Sequence, residues 1–194
     1  VIFQSAKPLT GSRILSNRDF NICVVSHLRE IKDPMRTASA VRTVPNQSKI
    51  KVTHLGMAHD GRSAARAIRE MKQNPRYVWK GEVAGWQVRQ ELKRSHLMVI
   101  SSRAEGGANV ISEAVVAGVP VIASKVDGNI GLLGKNYRGY YPVGNTKELR
   151  KVILRAETDK AFIQSLAKQC NSIKSKFTGE REQESWAKLI KNIT

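Results

Sequence analysis

Cysteine is scarce. The two present in 194 residues, Cys23 and Cys170, fall in a predicted strand and a predicted helix. With no metal-ligand spacing between them, they read as small core residues in a reducing, cytoplasmic setting. Long apolar runs are missing too: the longest is interrupted by Pro120 and is too short to span a bilayer. No signal peptide precedes the chain, and its start at Val1-Ile2-Phe3 without a methionine reads as a fragment of a longer protein. Acidic residues are few, 16 against 33 Lys and Arg, for a net charge of +17. That balance favours polyanions, whether nucleic acid, acidic membrane surfaces or phosphorylated ligands. The bases are scattered through every predicted helix, however, and no aromatics interleave with them for stacking. Nucleic-acid or polyanion binding therefore stands as the alternative function. His54, His59 and His96 lie outside metal-ligand spacing of any Cys or carboxylate cluster, so neither a metal nor a cofactor is expected.

What is there is a regular alternation. Short apolar, β-branched runs predict strands at 21–26, 50–55, from Tyr77 into a turn at Gly81, 97–100, 119–123 and 139–143. Between and after them, amphipathic stretches predict helices at 35–44, 63–72, 86–94, 147–156 and 161–177, and a last one carrying Trp186, Leu189, Ile190 and Ile193. Residues 1–19 read as a linker or as an entry strand at 1–4, Asp127-Gly128-Asn129 as a turn, and Thr146 as the cap of the helix at 147–156. The fold class is α/β, a doubly wound, Rossmann-like parallel sheet of about six strands with helices on both faces, in one domain over 1–194.

The chain is organised around residues 101–124, SSRAEGGANVISEAVVAGVPVIAS. About fifteen residues separate two buried strands, room for one loop and a short helix. Gly106 and Gly107 sit where the chain leaves the sheet and let backbone N–H groups approach a ligand. Asn109 is the expected N-cap of a helix whose first amides face the crevice at the strand ends, where open α/β sheets bind ligands. That helix is apolar nearly all round except for Glu113, a carboxylate that should have a definite partner. A second cationic stretch, His27 to Pro34, follows the first core strand, with Asp33 expected to cap a helix whose first residue is Pro34.

Glu105 and Glu113, spaced acid-x7-acid on a strand-loop-helix unit and followed by Gly-Val-Pro-Val, resemble the retaining glycosyltransferases of the GT-B fold with the E-x7-E motif, the group 1 transferases. The resemblance covers the C-terminal, donor-binding half of that fold almost end to end. It implies a nucleotide-sugar donor, most commonly a UDP-sugar, transferred with retention and without a metal. It puts Glu105 on the transferred sugar as the catalytic carboxylate and Glu113 on the ribose. The amides of Gly106, Gly107, Ala108 and Asn109 lie near sugar and pyrophosphate, and Lys32 on the phosphates. Where the family has Gly-Arg, this chain has Ser26 and His27, and Arg29 is expected to supply the missing guanidinium; Gly107 stands where Phe is common. Gly81, Glu82 and Val83, after the third strand, are the expected base contacts. The resemblance further implies an absent N-terminal acceptor domain, toward which a terminal helix at 178–194 would cross, and a chain that binds donor without transferring it. A narrower likeness, in His27-Leu28-Arg29, Lys32-Asp33-Pro34 and Ser101 to Val110, is to selenosugar synthases, which would make selenophosphate the acceptor.

Overall fold

The computed structural model describes residues 2–191. Six parallel strands form one sheet in the order β3-β2-β1-β4-β5-β6: β1 Phe20–Val25, β2 Ile50–Leu55, β3 Tyr77–Trp79, β4 Leu97–Ile100, β5 Val121–Ser124 and β6 Tyr140–Tyr141. Every residue of β4 and β5 is buried. That is what a strand covered on both faces requires, and it is why these runs are continuously apolar. The order reverses between β1 and β4, so the crossovers diverge there and open a crevice above the carboxyl ends of both strands.

The helices are α1 Arg36–Val41, α2 Gly61–Gln73, α3 Gly85–Arg94, α4 Asn109–Val116, α5 Asp127–Leu133, α6 Thr146–Thr158, α7 Lys160–Ile173 and α8 Gly179–Lys191. α4 buries Ile111, Ser112, Ala114, Val115 and Val116, and its eight residues carry one charge, Glu113. On the other edge Arg42 and Glu70 pair, and the buried Asn74 amide donates to Ala38 O (3.1 Å) and Glu70 Oε1 (2.9 Å), tying α1 to α2. Cys23 and Cys170 are both buried, and burial pushes both thiols up. Among the described residues no helix is long and apolar enough to cross a membrane, and no cluster of His, Cys, Asp or Glu could hold a metal ion.

Several local expectations are corrected. Asp33 does not cap α1: it has left-handed backbone (φ 45°, ψ 52°) at the end of a 3-10 turn, Glu30–Lys32, and α1 starts only at Arg36. Its carboxylate instead accepts from Arg36 Nε at 2.7 Å. Asn109 is the first residue of α4 and Ala108 its cap. The cap of α6 is Asn145, which accepts from Glu148 N, rather than Thr146. Asp127-Gly128-Asn129 opens α5 instead of forming a free turn. No strand forms at residues 2–4; Ala6 N donates to Phe177 O (3.1 Å), and Ser5 N to Glu182 (2.8 Å). α8 buries none of its residues, with Trp186 50% and Leu189 42% exposed, while Ile193 lies outside the described residues.

Candidate functional site

The crevice at the β1/β4 reversal holds three hollows in a row. An apolar slot of about 230 Å³ runs between β1, β2 and α4, lined by Val25, Ser26, His27, Leu55, Val88 and Val110, with Glu82, Val83 and Gly56 at its rim. Through Val25, Ser26, Lys32 and Val110 it opens into a polar neck of about 240 Å³ with Ser102, Glu105, Gly107, Ala108 and Asn109 on its walls. The neck shares Glu105, Gly107, Ala108 and Asn109 with a wider hollow of about 580 Å³, bounded by Phe3, Gln4, Ser112, Asp127 and Gly128.

Two side chains meet in the neck from elements 73 residues apart. Lys32 ends the 3-10 turn after β1, and its Nζ lies 2.6 Å from Oε1 of Glu105, in the loop after β4. The Glu105 side chain is 7% exposed, so its charge depends on these contacts. Ser102 supplies another, its hydroxyl donating to the same oxygen at 2.5 Å. Ser102 is itself fully buried, and its carbonyl accepts from Ser124 Oγ (2.6 Å), at the end of β5. Asn129 then donates to Ser124 O at 2.9 Å. A polar chain therefore runs beneath the site from α5 to Glu105. Sequence reading missed Ser102, Ser124, Asn129 and Gly128; the signal for them is small polar residues at the exits of two otherwise apolar strands.

Both loops are fastened together. Arg103 N donates to Ile31 O at 2.8 Å, and Ser101 Oγ to Asp33 O at 2.9 Å. On the slot side a Cβ on Gly56 would fall 1.9 Å from Ser26 O, so only glycine lets β2 leave the sheet so close to β1. His54 sits fully buried behind Ser26. Its Nε2–H donates to Ser26 O (2.9 Å), which leaves Nδ1 to accept from the Tyr77 hydroxyl (2.8 Å). Burial holds this imidazole neutral, with its pKa down to about 4.

The other expected residues distribute unevenly. Glu82 and Val83 reach the slot; Gly81 is not among its lining residues, its carbonyl accepting from Gly56 N at 2.7 Å. Gly106 borders the wide hollow, and the first amides of α4 lack intrahelical acceptors as in any helix start. His27 lines the slot, and its Nδ1 accepts from Met57 N at 3.1 Å. Arg29 is not brought to the neck. Its backbone is extended outside the 3-10 turn, and its Nε donates to His59 Nε2 at 2.9 Å beside a hollow with Asp60 and Arg62; it also borders a second hollow with Arg36, Arg66 and Arg103. Glu113 lies one turn along α4 from Asn109 and Val110, half-buried and not among the residues lining the three hollows; its backbone carbonyl accepts from Ala117 N, and its carboxylate has no hydrogen bond or ion pair among the described residues. Burial pushes its carboxyl up, opposed by Arg89 acting through space. Among the described residues, then, Arg89 acts on this carboxyl only through space and none hydrogen-bonds it.

Exposed bases occur on five helices, at Arg66, Arg94, Lys147, Lys168 and Lys188. The positive charge is not gathered on one element.

Comparison with known structures fits this architecture. HepE from Anabaena, crystallised with UDP and glucose, superposes with a TM-score of 0.78 at 22% identity, over 90% of this chain and 49% of that one. A glycosyltransferase from Rickettsia africae gives 0.80 at 14% identity, over 92% and 48%. Sucrose-phosphate synthase from Thermosynechococcus elongatus gives 0.77 at 19%, over 92% and 46%. This chain thus spans about half the length of these relatives, matching one half of the GT-B fold. No curated protein sequence matches it. The family model for glycosyl transferases group 1 matches residues 12–192, nearly the whole sequence, and the chain belongs to that family.

Proposed function

We infer that this chain is the donor-binding half of a two-domain glycosyltransferase and that its ligand is a nucleoside diphosphate sugar, specifically a UDP-sugar. The observation that carries this reading is the meeting of Lys32 and Glu105 at 2.6 Å, at the sheet's switch point, between an apolar slot and a polar hollow. A planar base suits the slot, with Glu82 and Val83 at its edge. The diphosphate then falls beside Lys32 and the first amides of α4, and the sugar beside Glu105, Gly106, Gly107, Ala108 and Asn109. Glu113, half-buried one turn along α4 from Asn109 and with a carboxylate that no described residue hydrogen-bonds, suits the ribose hydroxyls. The bound UDP in HepE supports uracil as the base.

The chemistry follows from where charge grows. As the sugar–oxygen bond breaks, negative charge builds on the leaving diphosphate, and a fixed ammonium with oriented amides stabilises that state more than the ground state. Glu105 holds the sugar's hydroxyls and so orients its anomeric carbon, with transfer proceeding in the retaining sense. The acceptor docks on the complementary half, so this half by itself binds donor without transferring it. The narrower likeness to selenosugar synthases gains no support from the relatives and is not carried into this reading.

Calorimetry with UDP, UDP-glucose and a GDP-sugar, beside a single-stranded oligonucleotide, tests it. Saturable binding of the uridine ligands at micromolar to millimolar concentration is expected. Binding of the oligonucleotide alone would instead establish the polyanion alternative.

A further inference from the structure

Lys32 and Glu105 would serve two different parts of one ligand, the phosphates and the sugar, yet in the structure they bind each other. The Lys32 side chain is 30% exposed and that of Glu105 7%, so Glu105 is the member that depends on the contact. Both backbones are held by neighbouring backbone. The Glu105 carbonyl is backed by Gly128 at the start of α5, where a Cβ would stand 2.1 Å away. The turn carrying Lys32 is fastened to the same loop through Arg103 and Ser101. Only the side chains are left to rearrange, and a diphosphate beside Lys32 competes with Glu105 for one ammonium.

We propose that this pair makes Glu105 the residue that distinguishes sugar-loaded donor from the bare nucleoside diphosphate left after transfer; the inference rests on the donor reading above. When a bare diphosphate draws Lys32 away, Glu105 keeps the Ser102 hydroxyl but loses its cation in a poorly solvated place. A loaded donor brings sugar hydroxyls to the same carboxylate as the ammonium turns to the phosphates, and their hydrogen bonds offset the loss. The ion pair therefore weakens binding of the product more than of the donor. It re-forms as the product leaves, which favours release.

The test is calorimetry of UDP and UDP-glucose with the chain, Glu105→Gln, Glu105→Ala, Lys32→Ala and the Glu105→Gln/Lys32→Ala double variant. Removing the competing carboxylate is expected to tighten UDP binding roughly fivefold or more, while UDP-glucose gains less or loses affinity. A gain in affinity cannot come from a damaged fold. It should vanish in the double variant, since it acts through Lys32. If UDP binds the parent chain but equally or more weakly to both Glu105 variants, or if the gain survives without Lys32, the discrimination role is overturned and the donor reading stands. If no uridine ligand binds any of the five proteins at millimolar concentration, the donor reading fails and takes this inference with it.

Discussion

The backbone carbonyl of Glu105 occupies the space that a side chain on Gly128 would need, a Cβ there falling 2.1 Å from the oxygen and 2.6 Å from its carbon. The loop after β4 and the first turn of α5, which follows the adjacent strand β5, are thus in backbone contact, and the carboxylate at the centre of the site takes its position from a glycine 23 residues further on.

Gly128→Ala should push the Glu105 loop outward. Because the obstruction is backbone, the strain has no cheap relief, and a loss of about 1–3 kcal/mol in stability is expected. The sugar side of the site should suffer more than the phosphate side. UDP-glucose affinity should fall more than UDP affinity, as read by calorimetry beside a thermal unfolding curve; equal affinities with an unchanged melting temperature would show that the loop does not depend on this contact.

The same contact shows why some of the site was legible in the sequence and some was not. Leu97–Ile100 is readable to the residue because a parallel strand buried on both faces leaves an unbroken apolar signature, and Ile50–Leu55 because buried Ile50 and Val52 alternate with exposed Lys51 and half-buried Thr53. The alternation of strands and helices gave the doubly wound sheet for the same reason. Asp127-Gly128-Asn129 carries turn residues and was read as a turn, yet the glycine is there for close approach and the asparagine for a buried hydrogen bond, neither of which a local pattern encodes. Arg29 and Lys32 are three residues apart, and composition alone made them equivalent. What separates them is that one precedes a 3-10 turn with extended backbone and the other ends it.

That separation is testable. Lys32→Ala should lower affinity for UDP far more than for uridine, by about 1.5–3 kcal/mol for a lost charged hydrogen bond. Arg29→Ala, whose side chain bonds His59, should change UDP affinity less than about twofold. A large loss with Arg29→Ala, confined to phosphorylated ligands, would mean that the turn rearranges on binding.

Glu113 should show opposite effects on stability and binding. Its carboxyl is raised by burial, so the folded chain holds a proton there more tightly than the unfolded chain does, and stability falls as pH rises from the unfolded carboxylate pKa through the folded one. Glu113→Gln removes that loss, and its melting temperature at neutral pH should match or exceed the parent's. UDP binding should meanwhile weaken by about 1–3 kcal/mol as a charged hydrogen bond to the ribose is lost. A variant that melts lower at neutral pH and binds UDP unchanged would assign Glu113 to the fold rather than to the ligand.

His54 gives the chain an acid limit that does not involve any carboxylate. Its imidazole is fully buried behind Ser26, and the Tyr77 hydroxyl donates to its Nδ1, a bond that protonation of that nitrogen breaks. With the folded pKa down to about 4 against 6.5 unfolded, the unfolded chain binds the extra proton throughout the interval between them. Stability is therefore full above about pH 6.5 and falls as pH drops toward 4, by about 3 kcal/mol over the window. Urea titrations at steps from pH 7.5 to 4.5 should show that slope in the parent chain, whereas His54→Asn, destabilised at every pH by the lost contacts, should show a flatter one. The effect should reach the site as well, because the Ser26 carbonyl that His54 holds stands at the wall shared by slot and neck. UDP affinity in the parent should accordingly decline below about pH 5 before the chain unfolds, and a pH profile of equal slope in parent and variant would remove His54 from both roles.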